Sequence, residues 1–409
     1  MTEDQQSATQ PLAGVRVVEI SSFVAAPLAG MTLSQLGAEV IRVDPLGGAA
    51  DVHRWPLTDD GASIYWTGLN KGKRSVTADL RSPAGQQLVS RLITAGGPAG
   101  GILLTNVSGR DWHSHAALAA LRPDLIHLEI LGRADGSTAV DYTVNAATGF
   151  PLVTGPADHA EPVNHVVPVW DLLCGLYAAL AITAAVRHRD ATGEGSRISL
   201  PLEDVALATA GNLGFLTEAM VCERTRPRLG NAVYGQFGGH FTGTDGATFM
   251  VVALTARHFR DLTELTGTGH VVDALAVALA ANFADEGDRY RHREVLTGLF
   301  TPWFRARTGA QIAAGLAGTS LLWERYRTFG EVAADPKVTA NPLFSPLDQP
   351  GIGTYLAPGA PASINGTHTP AQTAPSLGQH TTAVLRDLIG LSTPSITDLQ
   401  KAAVLAADT

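Results

Sequence analysis

The first half of the chain alternates short β-branched runs with stretches whose apolar residues recur at helical spacing. Leu12-Ala-Gly-Val-Arg-Val-Val-Glu-Ile reads as a strand, residues 27–36 as a helix and residues 37–44 as the next strand. Strand, helix and strand at this spacing predict a parallel sheet, because a crossover helix returns the chain to run the same way. The pattern adds strands at 75–80, 101–105 and 125–131, with helices at 82–94 and 116–120 between them. Residues 166–186 form an apolar run that suits a buried helix. Thr192-Gly-Glu-Gly then turns into another strand, and residues 205–219 read as a further helix. The fold class is therefore α/β, with a large open parallel-sheet domain.

The second half reads differently. Arg224-Thr-Arg-Pro-Arg-Leu-Gly-Asn is basic and turn-rich, which marks a linker. A hairpin turning at Asp245-Gly246 and helices to about residue 332 predict a smaller α+β domain. Residues 341–375, rich in Pro, Gly, Ser and Thr, are expected to run over the surface as a tether. Helices at 381–389 and 397–406 close the chain. The expected division is 1–222 for the first part of the large domain, 223–332 for the small one, and 333–409 for a linker with helices returning to the large one.

Composition narrows the partners. The chain has 409 residues, 45% of them hydrophobic, and a formal net charge of -9. That balance argues against a general nucleic-acid binder, so an anionic ligand must be held by a local basic cluster. Cys174 and Cys222 give neither a disulfide framework nor a zinc spacing and read as buried thiols in a reducing compartment. Residues 1–11 are polar and acidic, unlike an export signal, so a cytoplasmic location is expected. The longest uncharged apolar stretch, 172–186, falls short of the roughly 20 residues of a membrane span, and no membrane partner is expected.

Asp171 is the one charged residue between His165 and Arg187. It could sit in the first turn of a buried helix, held there by backbone N–H groups and the helix dipole. It could equally be a carboxylate kept ionised at a cleft as a nucleophile. Lys71, Lys73 and Arg74 lie in a glycine-containing loop before a strand, with Arg42 at the end of another. They could gather charge for phosphates at a sheet rim or form an ordinary solvated loop. Asp141 opens a helix as a second candidate acid or as its cap. Gly238 and Gly239 could form a flap or a hairpin turn. His113 and His115 lack partners at ligand spacing, so no metal is expected. The turn after the first strand has no glycine, the loop at Gly68 has too few residues between its glycines for a Walker motif, and no Gly-x-Ser-x-Gly elbow occurs.

Together these segments resemble the class III CoA-transferase family, which includes acyl-CoA racemases and carnitine-type CoA transferases. The resemblance is carried by Leu12-Ala-Gly-Val-Arg-Val-Val-Glu, Val24-Ala-Ala-Pro, Leu36-Gly-Ala-Glu-Val-Ile-Arg-Val-Asp-Pro, Asn70-Lys-Gly-Lys-Arg-Ser and Asp171-x-x-x-Gly175. Arg189-Asp-Ala-Thr-Gly-Glu-Gly, Tyr234-Gly-x-Phe and Pro375-Ser-Leu-Gly-Gln-His extend it over nearly the whole chain. Val140-Asp-Tyr-Thr-Val-Asn and Val163-Asn-His-Val-Val-Pro-Val-Trp-Asp are most similar to the branch that moves CoA between the two carboxyl groups of mesaconate.

The resemblance implies a Rossmann-like large domain, Asp171 as nucleophile, and an acyl-CoA substrate with no cofactor beyond the CoA it carries. It implies CoA binding by Val24, Ala25, Arg42, Leu69, Asn70, Lys71, Gly72, Lys73, Asn106, Arg110, Val140, Asp141 and Tyr142. Val107 stands where the family commonly has an aromatic residue, and Val140 where its racemases carry a histidine. The latter argues against racemisation, which needs a base on each face of the substrate carbon. An interlocked homodimer, each chain threaded through the other, is also implied.

Overall fold

A computed structural model of the protein describes residues 10–406; the polar N-terminal segment lies outside them apart from its last two positions. The chain forms two compact units, one of residues 10–148, 166–217 and 336–406, the other of residues 149–165 and 218–335. The first is built on strands β1 (Arg16–Ile20), β2 (Glu39–Pro45), β3 (Arg74–Ala78), β4 (Ile102–Thr105), β5 (Ile126–Leu131) and β6 (Ser196–Pro201), all parallel, in the order β3-β2-β1-β4-β5-β6. The chain starts at the centre, moves to one edge, then returns to lay β4 against the free side of β1. That reversal opens a crevice beyond the carboxyl ends of β1 and β4, where open α/β sheets bind ligands.

Strand alternation decides what each face carries. Val18, Ile20, Ile41, Val43 and Val76 pack under helix α3 (Pro83–Thr94) and the C-terminal helices, against Leu88, Leu92, Val384 and Leu385. Ser82 caps α3 by accepting from Gly85 N at 3.1 Å, and Pro83 suits its first turn. The intervening residues Glu19, Arg42 and Asp44 face helix α1 (Ala25–Gln35), which precedes the short α2 (Ile64–Leu69).

The long helix Val169–Thr192 has the length and apolar composition of a membrane span, yet Cys174, Ala178, Ile182, Ala185 and Arg189 are buried within the unit. It lies against α1 because position 175 is glycine: a Cβ there would stand 2.7 Å from the Ala25 carbonyl. Gly193, at φ 76°, ends it in the left-handed conformation that glycine adopts without strain.

In the second unit, antiparallel β7 (Phe237–Thr242), β8 (Thr248–Ala253) and β9 (Leu322–Arg325) pack Phe237, Phe241 and Phe249 onto Phe259, Phe300 and Phe304. The expected Asp245-Gly246 turn joins β7 to β8. Gly238 and Gly239 form neither flap nor turn; they lie inside β7, opposite Val252 and Val251. Residues 149–165 join this unit through Gly230 N to Gly155 O at 2.9 Å and Arg228 to the Thr154 carbonyl at 2.7 Å.

Other expectations need correction. The helix at 205–219 is two, Leu202–Asn212 and Phe215–Val221, broken where Gly214 takes φ 79°. The supposed tether holds the hairpin Phe344–Gln349 with Gly353–Pro358, fixed by the reciprocal amide bonds of Gln349 with Ala374 at 2.8 and 3.1 Å. The last helix runs Thr393–Lys401 because Ser392 caps it. Cys174 is buried as expected, but Cys222 is exposed.

Candidate active site

Beneath α1 lies a buried ionic network. The Arg42 guanidinium donates to Asp44 at 3.0–3.1 Å, Asp51 at 3.0–3.2 Å, Asn70 Oδ1 at 3.1 Å and the Ser21 carbonyl at 3.2 Å. Lys73 Nζ donates to Glu19 at 2.9 Å, the Pro27 carbonyl at 2.8 Å and Asn70 Oδ1 at 2.9 Å. Burial pulls the Arg42 pKa down, but the carboxylates of Asp44, Glu19 and Asp51 outweigh it and hold the net shift upward. Burial lowers Lys73 to about 8 against the opposing pull of Glu19. Gly30 sits above Glu19, and any side chain there would collide with its carboxylate.

In this network the charge that could gather for phosphates at the sheet rim is already engaged. Arg42 and Lys73 are committed to their carboxylates and share Asn70 Oδ1, Lys71 Nζ donates to the Gly68 carbonyl at 2.8 Å, and Arg74 pairs with Glu39 at 2.6 Å. The loop Leu69 to Lys73 also enters β3 at its amino end, away from the carboxyl-end crevice. Gly72, at φ 75°, accepts from Ser34 Oγ at 2.9 Å through its carbonyl. Leu69, Asn70, Lys71, Gly72, Lys73 and Arg42 line neither of the cavities described next.

At the crevice, Asn106 clamps the turn after β1: its Oδ1 accepts from Ser22 N at 3.0 Å, and its Nδ2 donates to the Ser22 carbonyl at 2.8 Å. Two cavities meet at Ser22. One, of about 570 Å³, gathers Val24, Ala25, Asn106, Val140, Asp141, Tyr142 and Asp171. The other, of about 450 Å³, takes Val107, Arg110, His113 and Arg81. Thus seven of the anticipated site residues share one cavity and Arg110 stands in its neighbour.

Asp171 is the third residue of the long helix, whose N-cap, Pro168, has no side chain to accept hydrogen bonds. That service comes from outside. Asp141, buried at the start of helix Asp141–Ala147, accepts from Trp170 N at 2.8 Å and Asp171 N at 3.2 Å. Asn145 in the same helix accepts from Trp170 Nε1 at 3.1 Å. Asp141 is therefore a cap, but for the long helix rather than for its own.

The Asp171 carboxylate receives no hydrogen bond from any described residue. Burial first, then the nearby Asp141 charge, push its pKa up to about 7, with Arg54 pulling the other way. The helix start therefore does not hold Asp171 far below neutrality. Cys174, one turn on, is pushed to about 12 by burial and by Asp171, so it offers no thiolate at neutral pH.

The cavity wall also contains Phe23, Arg54, Trp55 and Tyr65, which sequence reasoning missed. The Arg54 guanidinium lies 5.3 Å from the Phe23 ring centroid and 5.0 Å from that of Tyr65. A signal existed in Asp51-Val-His-Arg-Trp-Pro, an arginine beside an aromatic residue in a stretch without periodicity.

With this geometry in hand, comparison with known proteins is specific. The family model described as CoA-transferase family III matches residues 12–381. The chain is 46% identical over 399 residues to 2-methylfumaryl-CoA isomerase of Chloroflexus aurantiacus, covering 97% of this chain and 98% of that one. It is 30% identical over 410 residues to succinate–glutarate CoA-transferase of Agrobacterium fabrum, covering 94% and 97%. A crystal structure of a CAIB/BAIF family protein from Brucella suis matches with a TM-score of 0.77 at 26% identity, covering 93% of this chain and 100% of that one. The protein is an enzyme belonging to CoA-transferase family III.

Proposed function

We propose that the enzyme moves CoA between the two carboxyl groups of one five-carbon dicarboxylate, interconverting 2-methylfumaryl-CoA and 3-methylfumaryl-CoA, the two mesaconyl-CoA regioisomers. The observation that carries this reading is Asp171, a carboxylate without a hydrogen-bond donor in the wall of the crevice cavity. The 46% identity to an isomerase of that substrate supports it.

In the proposed cycle, ionised Asp171 attacks the thioester carbonyl; the C–S bond breaks and CoA leaves as thiolate, giving a mixed anhydride. The thiolate then attacks the Asp171 carbonyl, freeing the dicarboxylate and leaving CoA on the enzyme. The other carboxylate of the same molecule attacks that thioester, and thiolate attack on the new acyl carbonyl restores Asp171. Each step exchanges one oxygen link for one sulfur link, so the gain comes from holding the partners together and keeping water from the anhydride. Val24, Ala25, Val140 and Tyr142 give the cavity apolar walls. Arg81 and Arg110, which have no ion pair among the described residues, suit the CoA phosphates.

The interlocked homodimer belongs to the same proposal. Leu176, Tyr177 and Leu180 are about half exposed on the long helix, which supports a covering partner. A cytoplasmic setting, rich in acyl-CoA and reducing, fits the unpaired cysteines.

The test is incubation with one mesaconyl-CoA regioisomer and no added acid. The other regioisomer should form. Product that depends on a second carboxylic acid would establish an intermolecular transferase instead, the activity named for the Agrobacterium relative.

A further inference from the structure

Arg54, like Arg81 and Arg110, stands apart from the arginines of the sheet unit that have partners. Arg16, Arg42, Arg74, Arg122 and Arg133 are each paired with a carboxylate, and Arg189 donates to backbone carbonyls. The Arg54 guanidinium makes no ion pair or hydrogen bond with any described residue, although it lines the same cavity as Asp171. Its position is nevertheless built. The Phe23 and Tyr65 rings flank it at 5.3 and 5.0 Å, and its backbone carbonyl accepts from Ser63 Oγ at 2.6 Å.

Phe23 reaches its place through a left-handed backbone, φ 65°, which a bulky aromatic residue adopts only when held. It is held by Asp51, whose Oδ2 accepts from Phe23 N at 3.1 Å and which is itself fixed by Arg42. Beside it the Tyr65 hydroxyl is buried without a partner, and burial raises its pKa to about 12, so it stays protonated as a donor. An exposed guanidinium fork without a protein partner, in the wall of the cavity that holds Asp171, suits a carboxylate.

We infer that Arg54 binds the free carboxylate of the substrate and selects dicarboxylyl thioesters over neutral ones. The inference rests on the reading of Asp171 as nucleophile for a dicarboxylyl-CoA. One end of the acid then faces Asp171 while the other is held by Arg54, and after exchange the two ends trade places. A held carboxylate also explains how the acid stays in the site without a second acid being recruited.

The experiment uses the Asp171→Ala enzyme, which binds without turnover, titrated calorimetrically with 2-methylfumaryl-CoA and with the same thioester carrying a methyl in place of the free carboxylate. The dicarboxylyl ligand should bind at least about tenfold more tightly. Adding Arg54→Gln should bring the two within about twofold of each other while leaving the methyl analogue's Kd unchanged, and Arg54→Lys should keep part of the preference. In otherwise intact enzyme, Arg54→Gln should raise KM for the dicarboxylyl substrate by about tenfold or more. Equal weakening of both ligands would place Arg54 on the CoA portion, and an unchanged preference would place the carboxylate elsewhere; either overturns the inference. The regioisomer assay on the unaltered enzyme separates the two ideas. If it fails while the Arg54-dependent preference holds, the isomerase reading falls alone; if it succeeds without that preference, the inference falls alone.

Discussion

Two groups of charges within the same sheet unit behave in opposite ways. Arg42, Lys73, Glu19, Asp44 and Asp51 are almost fully buried, and every cation among them has carboxylate partners. Asp171 and Arg54 share a cavity yet lie outside ion-pair distance of each other or of any other described charge. In the first group pairing opposes desolvation, outweighing it at Arg42 though not at Lys73, and the result is rigidity. In the second group Asp171 is desolvated without a cation to offset it while Arg54 stands exposed without a partner, and the result is reactivity: a carboxyl shifted toward neutrality and a guanidinium ready for an anion. The first group also serves the second, since the Arg42–Asp51 pair holds Phe23, the shelf on which Arg54 rests.

The sharpest way to break this contrast is to delete one charge from each group. Asp171→Ala should lower turnover of either mesaconyl-CoA regioisomer by at least about 10³-fold, as loss of a covalent nucleophile does. Circular dichroism and CoA affinity should stay near their original values. Turnover surviving at a tenth of its original rate would show that Asp171 is not the nucleophile.

Arg42→Met should act on folding instead. It strands Asp44 and Asp51 in a dry interior, where breaking a buried pair costs about 3–5 kcal/mol. Urea denaturation should show that loss, or expression should yield no folded protein. A variant of undiminished stability with a raised KM for CoA would instead make Arg42 a ligand-binding residue and dissolve the contrast between the groups.

The sequence makes the first group's strands visible but hides its pairing. Arg42 and Asp44 are two apart on one strand, hence on one face, and that spacing is itself a signal of mutual satisfaction. Glu19 and Lys73, 54 residues apart, give no such signal. Asp171 was legible because a lone charge in an apolar run has few bland explanations. Arg54 was not, because its setting depends on the rings of Phe23 and Tyr65, which a non-periodic stretch brings together. The parallel sheet followed from β-branched runs of period two, whereas the hairpin at Phe344–Pro358 did not. Its stability comes from Gln349 reaching Ala374, and its Pro and Gly content resembles that of a coil.

The pH dependence probes the second group more finely. With Asp171 near 7, kcat/KM should rise with pH through that value and level off above it, because the carboxylate and not the acid attacks. Asp141→Asn removes the neighbouring negative charge while its amide oxygen can still accept from Trp170 N and Asp171 N. The acid limb should then move to lower pH by about one unit, roughly 1.4 kcal/mol of interaction. A limb that stays in place would mean that burial alone sets the Asp171 pKa.

A further effect concerns stability and has the opposite sign from Arg42→Met. The folded-state pKa of Asp171 lies above its unfolded value near 3.8, so the folded protein holds this proton more firmly than the unfolded chain. The contribution to stability is fully present below about pH 4 and is lost as pH rises through 7. Asp171→Asn removes that loss and should stabilise the enzyme by up to about 4 kcal/mol at pH 8, and by little at pH 4. Urea midpoints at the two pH values check it. A stabilisation equal at both would come from packing, whereas one that grows with pH identifies an ionised carboxylate held, at a cost to the fold, where the chemistry needs it.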